Sequence, residues 1–278
     1  MTETLGGFLH VMALPFVACL ILTGIHVYLG VHVIERQVIF VDLALAQIAA
    51  LGASFALVFG QGLESSYSYW LSLAFTVIGA GIFSLTRFKK QVIPQEAIIG
   101  ITYAVSAALL ILVLSRSGEG DEHIRQSLVG NILLVKSSEV FMMLAIYAVI
   151  GLFHYRFQKR FLLISQNPEK AFAEGINVRF WDFLFYASFG FVVTSSVRVA
   201  GVLLVFSFLI VPASCAILFS NRPVVRLMLG WGVGLAASVI GMVVSYYMDF
   251  PTGASVVCVF GVILAFLALG SVWTSPER

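Results

Sequence analysis

Long apolar runs separated by short polar stretches make up most of this 278-residue chain. A run of about 20 apolar residues is long enough to cross the hydrocarbon core of a bilayer as a helix. Nine such runs can be marked, at about residues 8–33, 37–60, 68–86, 94–115, 137–156, 180–196, 199–220, 224–247 and 252–273. Apolar residues are continuous within each run rather than alternating, which favours helices over the strands of a membrane barrel. The pattern predicts an all-α, polytopic membrane helix bundle of about nine spans, forming a single domain over residues 1–278.

The composition agrees with this fold class. Hydrophobic residues make up 60% of the chain and charged residues only 11%, which leaves too little polar surface to cover a soluble globule. The net charge of +2 gives no indication of nucleic-acid binding. The chain also lacks the P-loop pattern G-x-x-x-x-G-K-[ST], so we expect it not to hydrolyse ATP or act as an enzyme of that class.

Basic residues are distributed unequally between the two sets of predicted loops. The set that includes the C-terminus holds twelve of the sixteen Lys and Arg residues, and the other set holds four. Basic loops remain on the cytoplasmic side of a membrane. The asymmetry therefore predicts an N-terminus outside the cell and a C-terminus in the cytoplasm.

A polar segment between the fifth and sixth predicted spans carries the signals of a short helix. Asn167 is a suitable N-cap, Pro168 suits the first helical position, and Glu169 complements the positive end of the helix dipole. Gly175 suits the C-terminal stop. These signals predict a helix at about residues 168–174, lying along the cytoplasmic surface.

The role of this predicted helix is open from its residues alone. Phe172 would be available to enter a groove of a partner protein, as expected in a transporter driven by a soluble subunit. A solvated connecting helix with no partner fits the spacing equally well.

The sequence EKAFAEGINVR, from Glu169 to Arg179, resembles the cytoplasmic segment of ABC importer permeases for zinc, manganese and iron. Glu169, Ala171 and Gly175 match the pattern of that family. Three further stretches are similar to the family: GNIL at 130–133, VRVAGVLLV followed by LIVPAS within 197–218, and SYYMDFPTG at 245–253. In combination the matches cover most of the chain from about residue 130 onward.

The resemblance implies that the segment at about 167–176 is a coupling helix that docks on a separate ATP-binding cassette subunit. The residues implied in coupling are Glu169, Ala171, Phe172 and Gly175. It further implies a homodimer in the bacterial inner membrane, with ATP and Mg²⁺ on the partner subunit, no cofactor in this chain, and an extracytoplasmic metal-binding protein. The implied function is import of a divalent transition metal ion by alternating access.

Asp42 is the acid predicted to lie deepest in a span, about five residues inside the start of the second run. A charge inside the bilayer costs at least about 2.5 kcal/mol, so such a residue usually faces a cavity or a partner. The alternative is that Asp42 is favoured by a nearby helix N-terminus. The family carries an Asp here within a pattern resembling D-A-L-S-H-A, whose acid and His are metal ligands. Ala46 occupies the His position in this chain.

Two residues are candidate replacements for the missing imidazole. His26 lies about as far before the turn near Glu35 as Asp42 lies after it, so antiparallel spans would bring both residues to similar depth. A His on an apolar helix is, however, more often packed and hydrogen-bonded than a ligand. Gln47 offers an oxygen beside Ala46, although it points about 100° away around the helix.

Other interpretations remain at this point. The principal alternative is an ATPase-independent secondary transporter or channel for a cation or small solute. An intramembrane enzyme ranks last, because the sequence offers no His, Asp or Glu cluster at one depth apart from the His26 and Asp42 pair. The predicted outer loop at 115–123 gathers four groups that could capture a cation but would also suit a solvated loop: Glu119, Asp121, Glu122 and His123.

Overall fold

The computed structural model describes residues 2–62, 65–87, 93–115 and 130–274. The α-helices within these ranges are α1 (Thr2–Glu35), α2 (Val41–Val58), α3 (Ser66–Leu85), α4 (Gln95–Leu114), α5 (Ser137–Arg156), α6 (Gln158–Gln166), α7 (Pro168–Ala173), α8 (Val178–Ala200), α9 (Val202–Phe219), α10 (Pro223–Met248) and α11 (Thr252–Thr274). Nine of these described helices are long and apolar enough to cross a membrane, and they coincide with the nine predicted runs to within a few residues. The all-α, polytopic fold is therefore confirmed. The four candidate groups of the outer loop lie outside the described residues.

Polar and conformationally special residues set several helix ends. The Ser65 hydroxyl accepts a hydrogen bond from the Ser68 N–H, which caps α3. Pro223 occupies the first position of α10, where a missing N–H carries no penalty. Gly201 has a φ of +77° between α8 and α9, a conformation that a residue without Cβ adopts readily. The short connections between spans thus follow from local chemistry.

The described residues pack as two compact units. The first contains α1 as far as Ile34, the first half of α5 as far as Tyr147, and the described chain from Arg198 onward. The second contains the described part of residues 35–127 together with Ala148–Val197. The polar segment with α6 and α7 therefore belongs to the second unit.

Close packing within the first unit depends on a glycine in α1. A Cβ built on Gly30 would lie only 1.9 Å from the carbonyl oxygen of Leu209, which is fully buried in α9. Such a contact with backbone cannot be relieved by a side-chain rotation. Small residues allow helix backbones in membranes to approach closely. Helix α1 can therefore lie this near α9 only because residue 30 has no side chain.

Three buried charges join helix ends in the second unit. Arg36 Nη1 donates to Asp182 Oδ1 at 2.5 Å, and both side chains are fully enclosed. Arg87 Nε lies 3.6 Å from Asp182 Oδ2. Arg87 Nη1 also donates to Gln95 Oε1 at 2.6 Å. The turn before α2 and the ends of α3, α4 and α8 are thus linked through one carboxylate.

Substitution of two glycines of α1 should separate helix propensity from helix packing. Glycine is about 1 kcal/mol less favourable than alanine in a helix interior, and a Cβ at Gly24 would meet nothing within 4 Å. We expect Gly24→Ala to raise or leave unchanged the melting temperature of the purified protein in detergent. Gly30→Ala should lower it, because overpacking costs about 1–3 kcal/mol. Equal melting temperatures for the two variants would contradict the packing at Gly30.

Removal of the Asp182 carboxylate should destabilise the protein strongly. Asp182→Asn leaves two buried guanidinium groups without a counter-charge, and breaking a buried pair costs about 3–5 kcal/mol. We expect a large fall in the melting temperature in detergent. The control is Asp249→Asn, which changes an exposed aspartate at a φ of +55° that asparagine also tolerates. Similar stability of both variants would show that the Asp182 pairs contribute little.

Candidate functional site

Asn167 and Gly175 define the two ends of α7. The Asn167 Oδ1 accepts a hydrogen bond from the Lys170 N–H at 2.9 Å, and Pro168 occupies the first helical position. Gly175 has a φ of +73°, which favours glycine. The short helix predicted at 168–174 is therefore confirmed, with its last helical residue at Ala173.

Two backbone hydrogen bonds close α7 at its C-terminal end. Gly175 N donates to Phe172 O at 3.2 Å, and Ile176 N donates to Ala171 O at 3.1 Å. This pair of bonds is a Schellman motif, which satisfies the last carbonyls and turns the chain away from the helix axis. A six-residue helix is too short to be stable by propagation alone. The caps at both ends therefore stabilise α7 despite its short length.

The four residues implied in coupling differ in exposure. Ala171 is fully buried, so it packs α7 against the rest of the second unit. Phe172 is half-buried, and Glu169 and Gly175 are exposed. The surface of α7 that remains available to another protein therefore includes Glu169 and part of the Phe172 ring.

Helix α6, which the sequence did not predict as a separate element, anchors α7. The fully buried Phe161 ring stacks on His154 with centroids 4.3 Å apart and meets Trp181 edge-on at 5.5 Å. Arg36 Nε donates to Ser165 Oγ at 2.8 Å. The guanidinium that pairs with the buried carboxylate of α8 thus also holds the end of α6, immediately before α7 begins.

Asp42 is buried, but it lies at a helix start. Helix α2 begins at Val41, after a turn that includes Gln37 at a φ of +56°, so Asp42 belongs to the first turn. The predicted position about five residues inside the helix was therefore wrong. Asp42 is only 2% exposed, and its Oδ1 forms no hydrogen bond with any described residue. The position agrees with the helix-terminus interpretation, and the role as a metal ligand stays a prediction.

The other two candidate ligands also stay predictions. His26 is fully buried, its Nδ1 donates to Leu22 O at 2.8 Å, and its ring meets Tyr147 edge-on at 6.1 Å. This is the packed, hydrogen-bonded environment that sequence reasoning gave as the commoner case. His26 belongs to the first unit and Asp42 to the second. Gln47 is half-buried. The described residues contain no group of three or more His, Cys, Asp or Glu arranged to hold a metal ion.

A second carboxylate, which the sequence did not single out, contacts the residue that precedes α2. Glu96 is in the first turn of α4, directly after Pro94 and Gln95. Its Oε1 accepts a hydrogen bond from Phe40 N at 3.0 Å. An acid in the first turn of a helix is ordinary, so the sequence pattern gave no reason to suspect a functional role.

Comparisons with known proteins agree with the motifs and the fold. Residues 9–273 match the model of the ABC 3 transport family. The manganese transport system membrane protein MntC of Listeria innocua is 32% identical over 211 residues, which are 72% of this chain and 74% of that protein. The manganese import system permease protein ScaB of Streptococcus gordonii is 28% identical over 191 residues, covering 68% of this chain and 66% of that protein.

A solved structure shows the same fold. In PsaBC from Streptococcus pneumoniae in complex with Fab, one chain has a TM-score of 0.78 and 22% identity, covering 96% of this chain and 94% of that chain. The family match and the curated relatives confirm the resemblance to ABC importer permeases. On the match over residues 9–273, this chain belongs to the ABC 3 transport family.

Proposed function

We propose that this chain is the membrane-spanning subunit of an ATP-driven importer for a divalent transition metal ion, with manganese the first candidate. The observation that carries the proposal is the family match over residues 9–273, whose relatives include manganese transport proteins. The chain forms a homodimer with two ATP-binding cassette subunits, and an extracytoplasmic binding protein delivers the ion. An ATPase-independent transporter or channel is not favoured, because relatives over two thirds of the chain are components of import systems.

Helix α7 supports ATP-driven coupling. ATP and Mg²⁺ bind the partner subunit, and its movement displaces α7, which is capped at both ends and exposes Glu169. Because α6 is held by Phe161 and by the bond from Arg36 to Ser165, that displacement acts on the buried charges of the second unit. The chain itself contributes gating rather than bond chemistry.

The proposed orientation places these elements on one side of the bacterial inner membrane. Twelve of the sixteen basic residues belong to the loops on the side of the C-terminus, which supports a cytoplasmic C-terminus and an N-terminus outside. Helix α7 then lies in the cytoplasm, where an ATPase subunit can reach it. The starts of α2 and α4 lie at the same face.

Asp42 is the residue we propose as a ligand in the ion pathway. Its burial and the unpaired Oδ1 support this role, because an enclosed carboxylate oxygen without a hydrogen-bond partner is suited to a cation. His26 and Gln47 remain the further candidates from the sequence.

Uptake measurements test the proposed function directly. Bacteria that lack this chain should accumulate at least tenfold less of one metal, manganese first, under metal limitation, as measured by elemental analysis of whole cells. The native chain should restore uptake. Asp42→Asn should not, although immunoblotting should show normal amounts in the membrane, whereas Asp249→Asn should restore uptake. Unchanged contents of manganese, iron and zinc in every strain would contradict metal import, and full restoration by Asp42→Asn would remove Asp42 from the pathway.

Two glycines with nearly the same backbone conformation test the role of α7. Gly175 has a φ of +73° and Gly60 a φ of +71°, and a Cβ at either would meet nothing within 4 Å. A non-glycine residue in this region costs roughly 1–2 kcal/mol at both positions. We expect Gly175→Val to reduce uptake at least tenfold and to weaken co-purification of the ATPase subunit. Gly60→Val should leave both near the native level. Normal uptake by well-expressed Gly175→Val would contradict coupling through α7.

A further inference from the structure

An exposed apolar face of α5 ends in a basic group. Val149, Leu152 and Tyr155 are each 70% exposed. Residues three or seven positions apart share one face of a helix, so Arg156, the last residue of α5, continues the face of Val149 and Leu152. Arg156 is exposed as well. An apolar face of this kind on a membrane span is suited to acyl chains, and a guanidinium at its end is suited to the level of the headgroups.

Two further basic side chains follow within one turn. Phe157 separates α5 from α6, and Lys159 and Arg160, both exposed, lie in the first turn of α6. We call Arg156, Lys159 and Arg160 the basic cluster. None of its members forms an ion pair with a described acid. Residues 140–168 contain no Asp or Glu at all. The basic cluster therefore carries three positive charges that no acid of its own segment offsets.

Aromatic rings hold the two guanidinium groups of the basic cluster. Arg156 Cζ lies 5.4 Å from the centre of the Phe157 ring, and Arg160 Cζ lies 4.7 Å from the centre of the Trp181 ring. The two rings are in contact, with centroids 5.1 Å apart. Trp181 is itself buried, so the rings form a fixed support for the charges. A guanidinium that stacks on a ring keeps N–H donors for a phosphate, and less conformational freedom is lost when it binds one.

We propose that the basic cluster binds the headgroup of an anionic phospholipid, whose acyl chains lie along Val149, Leu152 and Tyr155. Phosphate oxygens accept charge-assisted hydrogen bonds from the forked donors of arginine. Basic residues immediately beside a span attract anionic lipids. All of these residues belong to the second unit. The inference goes beyond the proposed function and requires only that the chain spans a bilayer, so its failure would leave the importer proposal untouched.

Two features favour a lipid over an acidic segment of another protein. The basic cluster continues the exposed apolar face of a membrane span, and Trp181 lies beside it, as aromatic rings do at membrane interfaces. Helix α7, the proposed contact for an ATPase subunit, instead exposes Glu169 and Glu174. Because Phe161 packs the inner side of α6 into the second unit, a lipid on the basic cluster would hold α6 from its outer side.

The double variant Arg156→Gln with Arg160→Gln removes both guanidinium groups. Both side chains are exposed and outside any described ion pair, so we expect the fold to be kept. The matched control is Lys136→Gln with Arg222→Gln, which removes two charges from exposed positions beside other spans. The variant Arg156→Lys with Arg160→Lys keeps the charges of the cluster.

Native mass spectrometry of the purified full-length chain in detergent tests the proposal, with separate titrations of dioleoylphosphatidylglycerol and dioleoylphosphatidylcholine. Each basic residue beside a span strengthens the attraction of anionic lipid several-fold, so the double Gln variant should bind phosphatidylglycerol roughly tenfold to thirtyfold more weakly than the native chain. Its binding of phosphatidylcholine should be unchanged. The double Lys variant should retain most of the preference for phosphatidylglycerol, and the control should bind as the native chain does.

Three results would overturn the lipid site. The native chain would bind both lipids equally, or the control would lose as much affinity for phosphatidylglycerol as the double Gln variant, which would indicate a general effect of charge. The same spectra report the oligomeric mass. If the double Gln variant kept its affinity for phosphatidylglycerol but lost a complex between copies of the chain, the basic cluster would be a protein contact instead.

Discussion

The carboxylate of Asp182 is the constraint on which the second unit depends. Its two oxygens face Arg36 and Arg87, all three groups are buried, and the helices that carry them meet at this point. An arrangement that moved any one of these helices away would leave an uncompensated charge inside the protein, which is far more costly than the pair is stabilising. Hydrogen bonds from Arg87 to Gln95 and from Gln95 Nε2 to Phe83 O complete the network. The relative positions of four helix ends are therefore specified by electrostatics as well as by apolar packing.

Arg36 connects this network to the polar segment that contains α6 and α7. Its guanidinium lies 4.0 Å above the centre of the Phe185 ring, while its Nε donates to Ser165 in α6. Because Ser165 is two residues before Asn167, the cap of α7, the proposed contact surface for an ATPase subunit rests on a buried ion pair rather than on a flexible loop. A mechanical connection requires such contiguous, well-packed elements. The polar segment between α5 and α8 is thus anchored to the second unit through α6, while α7 remains partly exposed.

Local signals in the sequence were sufficient for the spans and for α7. Continuous apolar runs indicated the nine spans, and Asn167, Pro168 and Gly175 indicated the ends of α7, because caps act within a few residues. The start of α2 was misplaced because Val38, Ile39 and Phe40 are apolar, so hydropathy does not distinguish the turn they form from the helix that follows. The pairing of Arg36 with Asp182 joins residues 146 positions apart, and no local pattern reports it. Glu96 was overlooked for the same reason, since its hydrogen bond with Phe40 N joins residues 56 positions apart.

Two buried acids of the second unit, Asp182 and Asp42, differ in whether they form ion pairs with described residues. The carboxylate of Asp182 is paired with two arginines, although its Oδ2 accepts no hydrogen bond from a described residue. Asp42 forms no ion pair with a described Lys, Arg or His. Helix α4 connects the two regions, because Gln95 bonds to Arg87 while the adjacent Glu96 accepts a hydrogen bond from Phe40 N, directly before α2. Under the proposed function, a displacement of α7 that passes through Arg36, Asp182 and Arg87 would shift the start of α4. That shift would reach the start of α2 through the hydrogen bond from Phe40 N to Glu96 Oε1, so the surroundings of Asp42, the proposed ligand, would depend on the state of the ATPase.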